Sequence, residues 1–256
     1  MLLAALALIA TQTATPVTAA SPEQDRLKTC LEQAQTEPEK AIPPVSRWLA
    51  EAKGADRALP QQCLGQAYSA LQKWNAAHDA FLAARDAAVP SDYTARARLG
   101  AMAGNAVLAA NDPTKALPEL DRAVADASLA GNKPLAGSIR ADQAHVLVAL
   151  GRNADAAKAL DLARAEAPKD ARVWLLSATL ARRMGQLEQA RQEIETAVAL
   201  DKADPAIGLE AGVIAELTGD EAAARQSWQA VVLAAPDTPE AKSAKAYLAQ
   251  IGGSGG

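Results

Sequence analysis

Two cysteines are the residues of this sequence with the most distinctive chemistry. Cys30 and Cys63 lie 33 residues apart, and each begins a segment of the form Cys-Leu-x-Gln-Ala. An even number of cysteines in equivalent places predicts a disulfide bond between them if the chain is exported, with two separate buried thiols as the alternative. No Cys-x-x-Cys motif or histidine cluster accompanies them, which argues against a redox or metal-binding role.

The two histidines give little support for catalysis. His78 and His145 are far apart in the sequence, and each is interpreted as a partly exposed histidine on a helix. The sequence also lacks the phosphate-binding loop Gly-x-x-x-x-Gly-Lys-[Ser/Thr]. We therefore predict that the chain is not an enzyme and that it binds neither a metal ion nor a cofactor.

Composition and charge indicate a helical protein that does not bind nucleic acid. The 256 residues are 50% hydrophobic but only 3% aromatic, and about a quarter of them are alanine. Alanine is the best helix former, and its small side chain lets helices approach closely. The net charge of −4 and the isoelectric point near 5.3 argue against a nucleic-acid-binding protein, because such proteins carry a basic surface.

Residues 1–20 have the pattern of a secretory signal peptide. An apolar run is followed by the small residues Thr18-Ala19-Ala20, and charged residues become frequent only after them. This order predicts cleavage near Ala20 and a periplasmic protein without membrane insertion, because the apolar run is too short to span a bilayer. A retained anchor and a disordered tail are the alternatives.

A pattern with a period of 34 residues organises the C-terminal half. Gly151, Gly185 and Gly219 mark it, and alanine follows five residues after each glycine. A period of this length is typical of stacked helix-turn-helix units. Such units bury their cores against their neighbours and form a solenoid with a long exposed groove.

An upstream segment reveals the kind of repeat. Leu64-Gly65, Tyr68, Ala77, Phe81 and Ala84 have the spacing of the tetratricopeptide repeat (TPR) consensus, and the chain resembles that family. The resemblance implies an all-α fold, a right-handed TPR-type α-solenoid of about five to six helix-turn-helix repeats.

Placing the repeats along the chain predicts its organisation. We expect a degenerate N-terminal repeat in residues 21–57, TPR repeats in 58–238, a capping helix in 239–251 and a flexible tail in 252–256. In the degenerate repeat, the second helix either begins at Pro43 or is kinked there, because proline disrupts a helix interior. The paired helices should meet near residues 72–75, 111–114, 151–154, 185–188 and 219–222.

The resemblance also implies a concave groove lined by the first helix of each repeat. Arg98, Arg172 and Arg182 are its expected cations, and the pattern departs from that of TPR domains that clamp a terminal carboxylate. An extended or helical peptide segment is therefore the expected ligand. The main groove residues implied by the family are Gln66, Arg98, Met102, Asn105, His145, Arg172, Leu175, Thr179, Arg182 and Val213.

Together these observations predict a non-enzymatic scaffold that binds a protein or peptide partner in the envelope of a Gram-negative bacterium. The alternative is an oligomerisation or adaptor module that binds its own kind. Trp174 and Trp228 are expected to pack between helices rather than to serve as ligand platforms.

Overall fold

The computed structural model describes residues 21–253, and these contain thirteen α-helices, one short 3-10 helix and no β-strand. The predicted leader, residues 1–20, and the end of the predicted tail, residues 254–256, lie outside the described residues. The α-helices are α1 (Pro22–Thr36), α2 (Pro38–Glu51), α3 (Ala58–Ala70), α4 (Trp74–Ala87), α5 (Tyr93–Ala109), α6 (Pro113–Leu129), α7 (Lys133–Ala149), α8 (Asn153–Glu166), α9 (Ala171–Arg183), α10 (Leu187–Leu200), α11 (Pro205–Leu217), α12 (Glu221–Ala234) and α13 (Pro239–Gly253).

Short turns join the paired helices at all five predicted places, and a sixth turn of the same form joins α6 to α7. Each turn contains one residue with positive φ. The next residue donates its backbone N–H to a carbonyl five residues earlier, as Arg152 does to Leu147 at 2.8 Å. This hydrogen bond is the signature of the Schellman motif, which ends a helix by satisfying its last carbonyls. The residues with positive φ are Gln72, Asn111, Gly131, Gly151, Gly185 and Gly219.

Small residues allow the helices of a pair to cross closely. Ala156, Ala190 and Ala224, which share one place in the 34-residue period, are completely buried. Gly65 packs so tightly that a β-carbon there would lie 2.5 Å from the ring of Phe81. The alanine-rich sequence therefore produces thin layers between helices, as its composition predicts.

The second N-terminal helix decides between the two alternatives that the sequence left open. Of the two alternatives for the second helix, a start at Pro43 is excluded, because α2 begins at Pro38 and continues through Pro43 and Pro44. The apolar face of α2 buries Val45 and Trp48 against α1 and α3. Packing of this face offsets the backbone hydrogen bonds that the two prolines cannot make.

The two cysteines form a disulfide bond in the structure. Cys30 on α1 and Cys63 on α3 are joined, with their Cα atoms 6.2 Å apart. The two copies of the Cys-Leu-x-Gln-Ala segment therefore lie side by side on neighbouring first helices, as their repetition indicates.

Candidate peptide-binding groove

Side chains on α5, α7 and α9 form a hydrogen-bonded chain across the predicted groove. Asn105 donates from Nδ2 to Asp142 Oδ2 at 2.9 Å, and Arg172 donates to the other oxygen of Asp142 at 2.6 Å. The side chain of Asp142 is only 12% exposed, whereas that of Arg172 is 48% exposed. Asp142 was not predicted as a groove residue, although it lies one helical turn before His145 and on the same face.

A second ion pair joins α9 to α11. Arg182 donates from Nε to Glu210 Oε1 at 2.7 Å and from a terminal nitrogen to Oε2 at 3.2 Å. The two-pronged geometry and the low exposure of both side chains, 22% and 14%, make this pair stronger than an exposed surface pair. Two of the three predicted cations, Arg172 and Arg182, are thus neutralised by carboxylates of the chain itself.

A small cavity of about 60 Å³ opens between α7 and α9. Its apolar lining includes Val148, Leu176 and Leu180, with Leu160 from α8. Three polar side chains complete the lining, and among the described residues they have no hydrogen-bond or ion-pair partner. These polar residues are His145, Thr179 and Arg183.

Arg183 was missed by the sequence analysis, which assigned the neighbouring Arg182 to the groove. Thr179 and Arg183 are four residues apart on α9 and therefore lie on one face of that helix. This spacing is the signal in the sequence that could have found Arg183.

The other predicted groove residues take no part in these polar contacts. Arg98 is exposed and has no charged partner within the part of the chain that the structure describes. Leu175, Met102 and Val213 are half-buried and pack against core clusters, while Gln66 is half-buried on α3. The structure therefore joins Asn105 and Arg172 through Asp142, places His145 and Thr179 in one cavity and pairs Arg182 with Glu210. Gln66 and Arg98 take part in none of these three groups.

One histidine differs from expectation, and two tryptophans agree with it. His78 is buried rather than partly exposed, and its Nδ1 lies 3.0 Å from an oxygen of Asp79. The two tryptophans pack against core residues as predicted: Trp228 is completely buried, and Trp174 is half-buried against the core cluster of α9 and α10 and donates to the carbonyl of Pro168 at 3.0 Å.

Within residues 21–253 there is no group of three or more His, Cys, Asp or Glu side chains arranged to hold a metal ion. No helix in that range is long and apolar enough to cross a membrane.

Comparison with known families agrees with the repeat architecture. The model of the tetratricopeptide repeat matches residues 101–171, 141–205 and 175–239, which together cover more than half of the chain. The chain belongs to the tetratricopeptide repeat family. No curated protein sequence matches it significantly.

Solved structures with low sequence identity share this fold. PilF of Pseudomonas aeruginosa is 15% identical with a TM-score of 0.64, and the match covers 89% of this chain and all of PilF. PilW, described as a widely conserved type IV pilus biogenesis factor, is 16% identical with a TM-score of 0.67, covering 88% and 99% of the two chains. Acl4, the assembly chaperone of RpL4, is 13% identical with a TM-score of 0.63, covering 91% and 96%. At these identities the likeness is one of fold.

Proposed function

We propose that this TPR protein is a non-enzymatic scaffold that binds a protein or peptide segment in the groove formed by its first helices. The observation that carries the proposal is the cavity between α7 and α9. His145, Thr179 and Arg183 surround an apolar floor and have no partner among the described residues. Donors that the protein itself does not use, placed around an apolar recess, suit a ligand that inserts an apolar side chain and accepts hydrogen bonds at its rim.

The bacterial cell envelope is the proposed location. The leader pattern in residues 1–20 supports export, and the Cys30–Cys63 bond suits an oxidising compartment. The structural likeness to PilF and PilW is compatible with this location.

Site-directed photo-crosslinking in intact cells tests where the partner binds. A photoreactive residue at position 179 is placed in the groove, and one at position 225, on the second helix α12, serves as the control. We expect an adduct with a different protein from position 179 and none from position 225. An adduct from position 225 alone would move the binding surface off the groove, and an adduct with a second copy would favour the self-association alternative.

Substitution of the adjacent residues Arg182 and Arg183 distinguishes an effect on partner binding from an effect on folding stability. Arg183→Ala should weaken the captured partner's affinity by about 1–3 kcal/mol, because a hydrogen bond from a charged donor is lost, while the free energy of unfolding stays within about 0.5 kcal/mol. Arg182→Ala should instead lower the free energy of unfolding by about 1–3 kcal/mol, because the carboxylate of Glu210 loses its partner. Binding titrations and urea unfolding of both variants check this prediction. Unchanged affinity in folded Arg183→Ala protein would contradict the proposed site.

A further inference from the structure

An ion cluster centred on the half-buried Arg164 fills the cleft between the second helices α8 and α10. Arg164 on α8 reaches Glu193 on α10 and Ser177 on the intervening α9. Its guanidinium also donates to Asp161 at 2.6 Å and lies 5.5 Å from the ring centroid of Trp174. With these side chains in place, only about 20 Å³ of the cleft remains open.

The equivalent cleft one repeat later is open. It lies between α10 and α12, with α11 as its floor, and has a volume of about 350 Å³. Every residue that lines the filled cleft has a counterpart 34 positions later that lines the open one. The difference in volume is therefore a difference in side chains at matching positions of the same architecture.

Loss of the ion cluster explains the opening. Val198, Ala211 and Ser227 stand at the positions that correspond to Arg164, Ser177 and Glu193. Around them, Thr218 replaces Met184 and Ala223 replaces Gln189. Each of these five replacements is smaller than the side chain at the matching position of the preceding cleft, and none of the five carries a charge, although Arg191 replaces Ala157 and Asp220 replaces Gln186 elsewhere in the lining.

The open cleft has apolar walls that extend along the repeat. Ile194, Val198 and Ile214 line it, and it is contiguous with a recess of about 160 Å³ farther along α12. The recess shares Val198, Ala211 and Ser227 with the cleft and adds Ala230 and Ala234. The combined surface is long enough to accept more than one side chain of a ligand.

Negative charge predominates around this surface. Four carboxylates line the cleft and its recess, against two cations, Arg191 and Lys202. Arg191 already donates to Glu195 at 2.6 Å and to Glu188 at 2.7 Å, and its hydrogen bonds lower the pKa of the Glu188 carboxyl. The lining carboxylates belong to Glu195, Asp201, Asp204 and Asp220.

We propose that the cleft between α10 and α12 is a second binding site, separate from the groove, for an amphipathic segment that carries apolar side chains next to lysine or arginine. The apolar side chains would cover the walls around Val198 and Ile214. The basic flank would meet the carboxylates at the rim, an arrangement that speeds association and selects the partner. A second copy of this chain is a poorer occupant, because its own net charge is −4.

A variant that restores the ion cluster tests the proposal. Val198→Arg, Ala211→Ser and Ser227→Glu together introduce the counterparts of Arg164, Ser177 and Glu193, the core of the ion cluster in the preceding cleft. A displayed library of random 14-residue peptides is selected on the full chain and counter-selected on this triple variant. We expect enrichment of peptides with apolar residues one helical turn apart and a flanking lysine or arginine. These peptides should bind the triple variant at least about 10-fold more weakly than the wild type. Failure to enrich peptides, or enrichment of acidic ones, would overturn the proposal.

Two single variants test the same site in case the triple variant does not fold. Ala230→Lys adds a positive charge to an exposed residue of the recess, and Ala222→Lys adds the same charge to an exposed residue of α12 outside it. For the enriched basic peptide, Ala230→Lys should weaken binding about 3-fold, the scale of one exposed charge pair, and Ala222→Lys should not. An equal loss of peptide affinity in the two single variants would overturn the proposal. The proposal would also be overturned if the wild type sediments as a dimer and the triple variant as a monomer.

Discussion

Gln72 occupies a backbone conformation that the other turns assign to glycine or asparagine. Its φ is 55°, and the residues with positive φ in the other five interhelical turns are Asn111 and four glycines. A residue with a β-carbon pays a steric cost in the left-handed region, and asparagine is the side chain that tolerates it best. The turn between α3 and α4 therefore contains a local strain that the Schellman hydrogen bonds of that turn must offset.

The strain can be measured by placing glycine at position 72 and glutamine at the equivalent position 151. Gln72→Gly should raise the free energy of unfolding by about 0.5–1 kcal/mol, because relief of the steric cost exceeds the extra entropy of the unfolded chain. Gly151→Gln should lower it by a similar amount at the equivalent position between α7 and α8. Urea unfolding followed by circular dichroism measures both changes. A decrease in stability in Gln72→Gly would show that the glutamine side chain makes a compensating contact.

At the scale of helices, we expect the stability of α1 and α2 to depend strongly on the disulfide bond. The bond joins residues separated by 33 positions, and a loop of this length is expected to stabilise the fold by about 3–4 kcal/mol. Trp48, the largest buried side chain of α2, is 3% exposed in the core shared with α3.

Removal of the bond should therefore loosen the N-terminal helices selectively. In Cys30→Ser, Cys63→Ser protein, amide hydrogen exchange should accelerate in residues 22–51 and remain unchanged in residues 171–234, because repeats contact only their neighbours. The wild type with added reductant is the matched control and should behave like the double variant. Uniform acceleration along the chain would contradict this modular response.

The sequence predicts helices and turns well because their determinants are local. A glycine or asparagine that ends one helix and an alanine five residues later are sufficient to place the turns at Asn111, Gly151, Gly185 and Gly219. The polar contacts of the groove are harder to predict, since they join side chains 28 to 37 positions apart whose meeting depends on how helices stack. The pair of Asn105 and Asp142 also spans the irregular stretch around Gly131, where the 34-residue register is lost.

At the scale of the whole molecule, α13 covers the last repeat. Its Ala241 and Ala244 are completely buried, and Tyr247 packs with its ring centroid 5.0 Å from that of Trp228. Terminal elements of this kind protect a solenoid core that has no further neighbour.

A chain that ends at Thr238 should expose this core. Loss of the contacts of Tyr247, Leu248 and Ile251 should lower the free energy of unfolding of the last repeat by about 2–4 kcal/mol. Trp228 fluorescence should shift to longer wavelength, and light scattering should detect association through the uncovered apolar face. A chain lacking only residues 254–256 is the control, and identical behaviour of the two truncations would show that α13 is not a cap.

The bond between Cys30 and Cys63 also determines how the molecule transmits mechanical force. Residues 31–62 lie within a covalently closed loop, and α2 is entirely inside it. Tension applied at the N-terminal end of α1 would pass through the sulfur atoms directly to α3, leaving α2 without load. The end of α1 and all of α2 therefore cannot be drawn out into an extended chain, whereas residues 22–29 of α1 carry the load, and the force reaches the stacked repeats through α3.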